Sequence, residues 1–581
     1  MGKWITRRKR YQLLVGIAAI IFGVCMLFGY AAAKSKSSGN TPNKPMSCND
    51  REYYLVELGK YVFFDEKISE PKRMGCVTCH DPDTGGTGSV SGVNLHQVAI
   101  TGANPHRVGN LKPPTNAYAS FIASFHECNT GGIGPVFGLQ DYCGGNFWNG
   151  RSEGNLDIYN TIFPGGATEP IGYEVFEGAA DWLEPCYYKY LGPVADQALN
   201  PFPNDVEQNV PDGEYEELFG AEAVCKHVAS AKYAELFEKA WKEPIDCENR
   251  VDLDFKRIAV ALSAFQASPD LNSFSSKRDK ALRAELACAC YDSSLTVYSE
   301  QNCVDYRACY DSSSPKYNEN ECRALRENDD QPDCDDSIKY DNDYTNSPGK
   351  FPLVGFTDQE NFGHDLAYGI ESELNPDPDG DDGPLHQKNA NCAVCHTDNP
   401  ATDTGDELFQ LYSADDYHNI GTPPNPEIPD TGVDPDLGIA GHVFVDDDSD
   451  GENDYPPGFF KTPTFRNVNK RKGEGFIKAY THNGWFKSME SIVHFYNTAA
   501  TTFTIGPKLH NVELCPPDIV TEKDALANNC WPAPANGGSA IPFIVGNLGL
   551  TADDEAAIVA YLRTLTDEHT ATAPKPYKPE Y

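Results

Sequence analysis

Two pentapeptides constrain this chain more than any other feature: CVTCH at residues 76–80 and CAVCH at residues 392–396, 316 positions apart. Each sets two cysteines three apart with a histidine directly after: Cys76, Cys79 and His80 in one, Cys392, Cys395 and His396 in the other. Such a trio can be half of a zinc site, part of a disulfide framework, or the attachment point of a c-type haem. The compartment narrows the choice. The N-terminus has a basic head, an apolar run from about Leu13 to Ala33, and then a polar stretch containing Gly, Ser and Pro, which is the pattern of an export segment. Ala31, Ala32 and Ala33 offer a cleavage site, and a run of roughly twenty apolar residues is also long enough to stay as a membrane anchor. Either way the body of the chain is expected in the periplasm or at the cell surface, touching membrane only through this segment.

The cysteine count agrees. Of nineteen cysteines, four belong to the pentapeptides and Cys25 lies in the apolar run. The fourteen that remain are an even number, which in an oxidising compartment implies disulfides. Short local bridges are expected between Cys128 and Cys143 and between Cys515 and Cys530, since each pair flanks a compact loop. Thiols that escape oxidation in such a place must be committed to something permanent, and thioether bonds to haem are such a sink. Two thiols about one helical turn apart meet the two vinyl groups, and the adjacent histidine binds iron. Two motifs therefore imply two covalently bound haem c groups.

A formal net charge of −39 over 581 residues argues against nucleic-acid binding, because no basic stripe exists to neutralise phosphates. Such a field steers basic electron carriers toward the chain, and it also keeps the chain soluble. Helical spacing of Leu55, Leu58, Val62 and Phe63 in YYLVELGKYVFFDE, and Thr551 three residues before Asp554 ahead of Ala557, Ile558, Tyr561 and Leu562, predict helices at the two ends of the body. The fold class expected is mainly α: two cytochrome c-like haem domains with long loops and a cysteine-rich insertion. The leader and linker take residues 1–46, the first haem domain 47–272, the insertion 273–350, the second haem domain 351–568 and a tail 569–581. The insertion carries Cys288, Cys290, Cys303, Cys309, Cys322 and Cys334 among many polar residues, too few aliphatics for a core of its own.

The segments YVFFDEKISEPKRMGCVTCHDP, KPPTNAYASF, GGNFWNGRS, QALNPFPNDVEQN, NCAVCHTD, YHNIGTPPNP and FKTPTFRNV…YTHNGWFKSMESIVHFYNT resemble, in order, those of the bacterial di-haem cytochrome c peroxidases, a family that includes the methylamine-utilisation di-haem enzyme MauG. The resemblance implies that the haem of His80 is peroxidatic and that the haem of His396 passes it electrons. It places Gln197, Pro201 and Glu207 on the family's Q…P…E pattern, with Glu207 as the distal acid/base, and Trp148 between the haems as a relay. Asn149 departs from the family's aspartate, and an insertion precedes Gln197. It puts Tyr496 at the second axial position of the His396 haem, where most of these peroxidases carry methionine, with Met489 and His494 as nearby rivals. For the His80 haem it implies His106 as a labile distal ligand, with His96 as a weaker rival.

The resemblance also implies one calcium ion at the domain interface, although its asparagine ligand is replaced near Lys112. Separately, Asp446, Asp448 and Asp450 before Gly451 read like the start of an EF-hand loop. Pro457 stands where the twelfth-position glutamate is needed, so a solvated acidic turn is the expectation.

The activity implied is peroxidase: reduction of hydrogen peroxide to water with electrons from a small redox protein such as a c-type cytochrome or cupredoxin. The tyrosine keeps open a MauG-like, peroxide-dependent oxidase of a protein or organic substrate. A non-catalytic di-haem electron-transfer protein is the third alternative.

Overall fold

A computed structural model describes residues 48–128, 141–154, 171–211, 220–283, 353, 355–372, 374–376, 388–397, 409–432, 434–445, 453–499, 513–536 and 545–578. The leader, nearly all of the cysteine-rich insertion and the Asp446–Gly451 turn lie outside them. Residues 51–282 and 349–581 belong to one compact unit, and residues 1–50 and 283–348 to another. Among the described residues no helix is long and apolar enough to cross a membrane.

The first half is organised by two long helices, Cys48–Phe63 and Val251–Gln266. Leu55, Leu58, Val62 and Phe63, the face expected from their spacing, are buried. The helices cross at Gly59: a methyl there would sit 1.8 Å from the Ala261 carbonyl oxygen and 2.9 Å from Phe265 Cβ. Only glycine permits that approach. The Val251–Gln266 helix also packs on the Pro193–Leu199 and Ala221–Ser230 helices.

The second half repeats the device. Helices Asp358–Tyr368 and Ala552–Arg563 cross at Gly363, where a methyl would lie 1.9 Å from the Ala557 carbonyl oxygen and 2.9 Å from Tyr561 Cβ. Both helices start with capping boxes, Thr357 with Glu360 and Thr551 with Asp554. The Met489–Thr498 helix packs against Ala552–Arg563, and its Met489 and Phe495 enter the same core as Leu366, Ile558 and Leu562.

Strands are few and short among the described residues. His126–Cys128 pairs antiparallel with Asp141–Cys143, Tyr417–His418 antiparallel with Phe460–Lys461, and Glu513–Leu514 parallel with Cys530–Trp531. Cys128–Cys143 and Cys515–Cys530 form the expected disulfides, and Cys225–Cys247 forms a third. The halves are stitched together: Cys143 bridges to Asp416, Ser276 to Asp567, and the Lys461 N–H donates to the Trp148 carbonyl at 3.0 Å. Tyr61 donates its hydroxyl to the Lys575 carbonyl, which returns the C-terminal segment to the first half.

Candidate haem sites

Each pentapeptide folds as a tight turn. Cys76–Cys79 forms one helical turn, closed by the His80 N–H donating to the Cys76 carbonyl at 2.9 Å. In the second motif the His396 N–H donates to the Cys392 carbonyl at the same distance. Each ring then uses Nδ1 on a backbone carbonyl. His80 Nδ1 donates to Gly86 at 3.0 Å, with the Pro114 carbonyl also in reach; His396 Nδ1 faces Tyr412 at 3.3 Å, with Pro463 in reach. A proton fixed on Nδ1 leaves the Nε2 lone pair as the metal-facing atom. Burial lowers both histidine pKa values, that of His396 to about 4, so both rings stay neutral and able to ligate. His396 is also clamped in orientation by Phe465, whose ring stacks on it at 3.6 Å.

The thiols carry the test of what these turns hold. Among the described residues eight cysteines are disulfide-bonded, and the four free ones are Cys76, Cys79, Cys392 and Cys395. Two unpaired cysteine pairs among described residues whose other cysteines are all disulfide-bonded fit thioether attachment of haem. No group of three or more His, Cys, Asp or Glu among the described residues is arranged to hold a bare metal ion.

Around the second motif lies a cavity of about 1260 Å³ of atom-free space including its mouth, lined by Cys392, Cys395, His396, Tyr496, Met489 and Trp148 among others. Tyr496 is close enough to both thiols to feel them electrostatically. Its burial, and then those sulfurs, push its pKa above the ordinary phenol value. Met489 shares the cavity wall, whereas His494 is held away by Glu555 at 2.9 Å. Of the two rivals, then, only methionine faces the same space.

A second, smaller space, about 600 Å³ with its opening, is lined by Gln197, Pro114, Thr115, Tyr118 and Trp148. Trp148 and the Lys461–Thr464 segment line both spaces. The indole is pinned there: its Nε1 donates to the Lys112 carbonyl at 2.7 Å, and the Lys112 N–H donates in turn to the His482 carbonyl at 2.8 Å.

Glu207 belongs to the first motif's surroundings. Its carboxyl is within electrostatic reach of both Cys76 and Cys79 and of Arg151; withdrawal from water raises its pKa and the Arg151 guanidinium opposes the rise. The turn carrying it is closed by the Gln208 N–H on the Pro201 carbonyl at 3.1 Å, and Gln208 Nε2 lies 3.8 Å from Cys76 Sγ. The Ala103 N–H donates to the Glu207 carbonyl, which docks the 99–109 loop on this turn. His106 is exposed at the tip of that loop, and His96 is exposed and 3.7 Å from Glu427. Neither imidazole is buried.

Sequence reasoning singled out neither Arg151 nor His482. Arg151 stands three residues after Trp148, its guanidinium over the Phe147 ring at 4.4 Å; His482 stacks on Phe460 at 3.5 Å with Nε2 on Asp436 at 2.6 Å. Both lie inside segments that resemble the family, which was the available signal.

Residues 54–287 match the family model of the di-haem cytochrome c peroxidases. Over that stretch the chain is similar to the di-haem cytochrome c peroxidases. It is 22% identical over 448 residues to the methylamine utilization protein MauG of Paracoccus denitrificans, spanning 76% of this chain and 74% of that one. It is 33% identical over 81 residues to the cytochrome-c peroxidase IdrP2 of Denitromonas iodatirespirans, 14% of this chain and 20% of that relative. Among solved structures, the diheme peroxidase BthA of Burkholderia thailandensis is 20% identical, with 90% of each chain covered and a TM-score of 0.46.

A family member is expected to carry two c-type haems, and the residues fit them. Calcium does not fit. Near Lys112, where the interface ion was expected, two buried lysine side chains occupy the seam, Lys112 and Lys478, and burial lowers the pKa of both, that of Lys112 to about 7.

Proposed function

We propose that this di-haem peroxidase reduces hydrogen peroxide at the His80 site, with electrons that enter at the His396 site from a small exported redox protein such as a c-type cytochrome or cupredoxin. Haem c attached at each motif would supply the iron that takes peroxide at one site and accepts electrons at the other. The observation that carries the reading is the place of Trp148, whose side chain walls both the His396 cavity and the space holding Gln197. Cleaving H–O–O–H requires moving a proton from one oxygen to the other, and Glu207 is suited to it. Burial raises its pKa, and the Arg151 guanidinium opposes the rise. Gln197 offers an amide to orient the peroxide, while Pro201 shapes the turn that presents Glu207. The same Gly-centred helix crossing in each half, and the motif Lys-x-Pro-Thr at Lys112–Thr115 and Lys461–Thr464, support reading each half as a cytochrome c-like unit, exported with the leader.

Replacing Glu207 by Gln in the haem-loaded protein is expected to slow peroxide turnover by about a hundredfold or more without loss of haem. Unchanged kinetics would remove Glu207 from the mechanism. Tyr496 in the His396 cavity favours a second reading, the MauG-like oxidase, because a phenolate ligand stabilises ferric iron where methionine raises the potential. Peroxide consumption that requires a reduced donor protein supports the peroxidase. Peroxide-driven oxidation of a protein or organic substrate without that donor supports the oxidase.

A further inference from the structure

Two buried lysines stand at the seam between the halves with no part in the chemistry above. Lys478 Nζ donates to three backbone carbonyls: Thr84 at 2.9 Å, Asn467 at 2.8 Å and Lys470 at 3.1 Å. Thr84 follows His80 by four residues; Asn467 and Lys470 close a turn of the second half, joined by the Lys470 N–H on the Asn467 carbonyl. An ammonium has three N–H donors and the neutral amine two, so only the charged form satisfies all three acceptors. Lys112 Nζ lies beside it, donating to Thr87 Oγ1 at 2.7 Å and more weakly to the Pro113 carbonyl at 3.4 Å. The two side chains are close enough to repel: burial first, then Lys112, Arg471 and Lys470, push the Lys478 pKa well below the usual lysine value. Against this, three carbonyls converging on Lys478 Nζ favour its charged form by geometry. Converging backbone carbonyls around a buried positive charge are what a protein offers a hard cation such as calcium, and here a side chain fills the place.

We infer that Lys478, with Lys112 beside it, acts as a tethered cation in place of an interface calcium ion, fastening the loop after His80 to the Asn467–Lys470 turn. A divalent ion at the same seam would meet two ammonium groups instead of carboxylates. The inference is independent of whether the enzyme is a peroxidase or an oxidase.

The test uses the haem-loaded full chain. After desalting, metal analysis should find no stoichiometric calcium, and the midpoint of thermal unfolding should be the same in EDTA and in added calcium chloride. Lys478→Ala should lower that midpoint by about 5 °C or more, since it strips partners from three carbonyls at a buried seam. Retained stoichiometric calcium, a midpoint that falls on chelation and returns with calcium, or a Lys478→Ala variant as stable as the wild type would each overturn the inference. Should Lys478→Ala not accumulate, the metal analysis and chelation of the wild type decide by themselves.

Discussion

Gly363→Ala adds one methyl group at the tightest point of the second half. Its carbon would lie 1.9 Å from the Ala557 carbonyl oxygen, so the Asp358–Tyr368 and Ala552–Arg563 helices must separate by roughly 1.5 Å before ordinary contact returns. A gap of that size forfeits more than about half of the dispersion attraction of each atom pair along the seam. Overpacking of a core costs about 1–3 kcal/mol, and more when the atom struck is backbone, which cannot rotate away. Alanine returns about 1 kcal/mol of helix propensity, so from the upper end of that range, where a backbone clash belongs, a net loss of about 2 kcal/mol or more remains. The consequence reaches the site, because Ile558 and Leu562 of the displaced helix line the His396 cavity. Thermal unfolding and the absorption spectrum of the haem-loaded variant are the assay, with Gly59→Ala as the matched change in the first half, where the clash is 1.8 Å from the Ala261 carbonyl. Both variants should melt lower; only Gly363→Ala should perturb the His396 haem. A midpoint equal to or above that of the wild type would refute the close-crossing argument.

Trp148→Phe keeps an aromatic ring but leaves the Lys112 carbonyl without its indole partner, so stability should fall by about 1–3 kcal/mol. On the proposed relay, electron delivery between the sites should slow while peroxide still reacts at the His80 site; rapid mixing with prereduced protein separates the two, and unaltered inter-site transfer removes the relay role. Asp65 accepts from His227 at 2.8 Å and Tyr233 at 2.7 Å, and although burial opposes its charge these hydrogen bonds bring its pKa down to about 2. A depressed carboxyl contributes stability that is present above its unfolded pKa near 4 and lost as pH falls toward 2. Asp65→Asn should therefore cost at most about 2 kcal/mol at neutral pH, discounted because the group is partly solvated, and flatten the acid limb of the stability profile. Denaturant unfolding at pH 7 and pH 3 checks this: an equal loss at both values would mean that the carboxylate charge is irrelevant.

What the sequence made legible had short-range physical rules behind it. The CxxCH turns, the capping boxes, the buried face of Leu55, Leu58, Val62 and Phe63, and the two local disulfides all follow from spacing within about four turns of chain or a short loop. The glycine crossings at Gly59 and Gly363 were not anticipated, because a glycine inside a helical pattern reads as a weakness until the partner helix, some two hundred residues away in each case, is known. The repeated Lys-x-Pro-Thr motif was visible as letters, but its meaning required seeing that Pro114 and Pro463 each turn a carbonyl toward the preceding motif's histidine.

The candidate site divides along the same line. Resemblance located Gln197, Glu207, Trp148 and Tyr496, and the structure sets Trp148 beside Gln197 on one side and Tyr496 on the other. His106 is less decided by the pattern: the loop that carries it is anchored by the backbone of Ala103 on Glu207, and the imidazole beyond that anchor is exposed. Calcium fails for a reason that a family pattern could only hint at. Replacing a neutral ligand by Lys112 leaves open whether the ion is lost or merely rearranged; on the inference above, Lys478, whose three carbonyl partners come from segments nearly four hundred residues apart in sequence, brings the charge itself. Charge at a buried seam has to come from somewhere, and a chain that supplies it covalently does not depend on the concentration of a free ion.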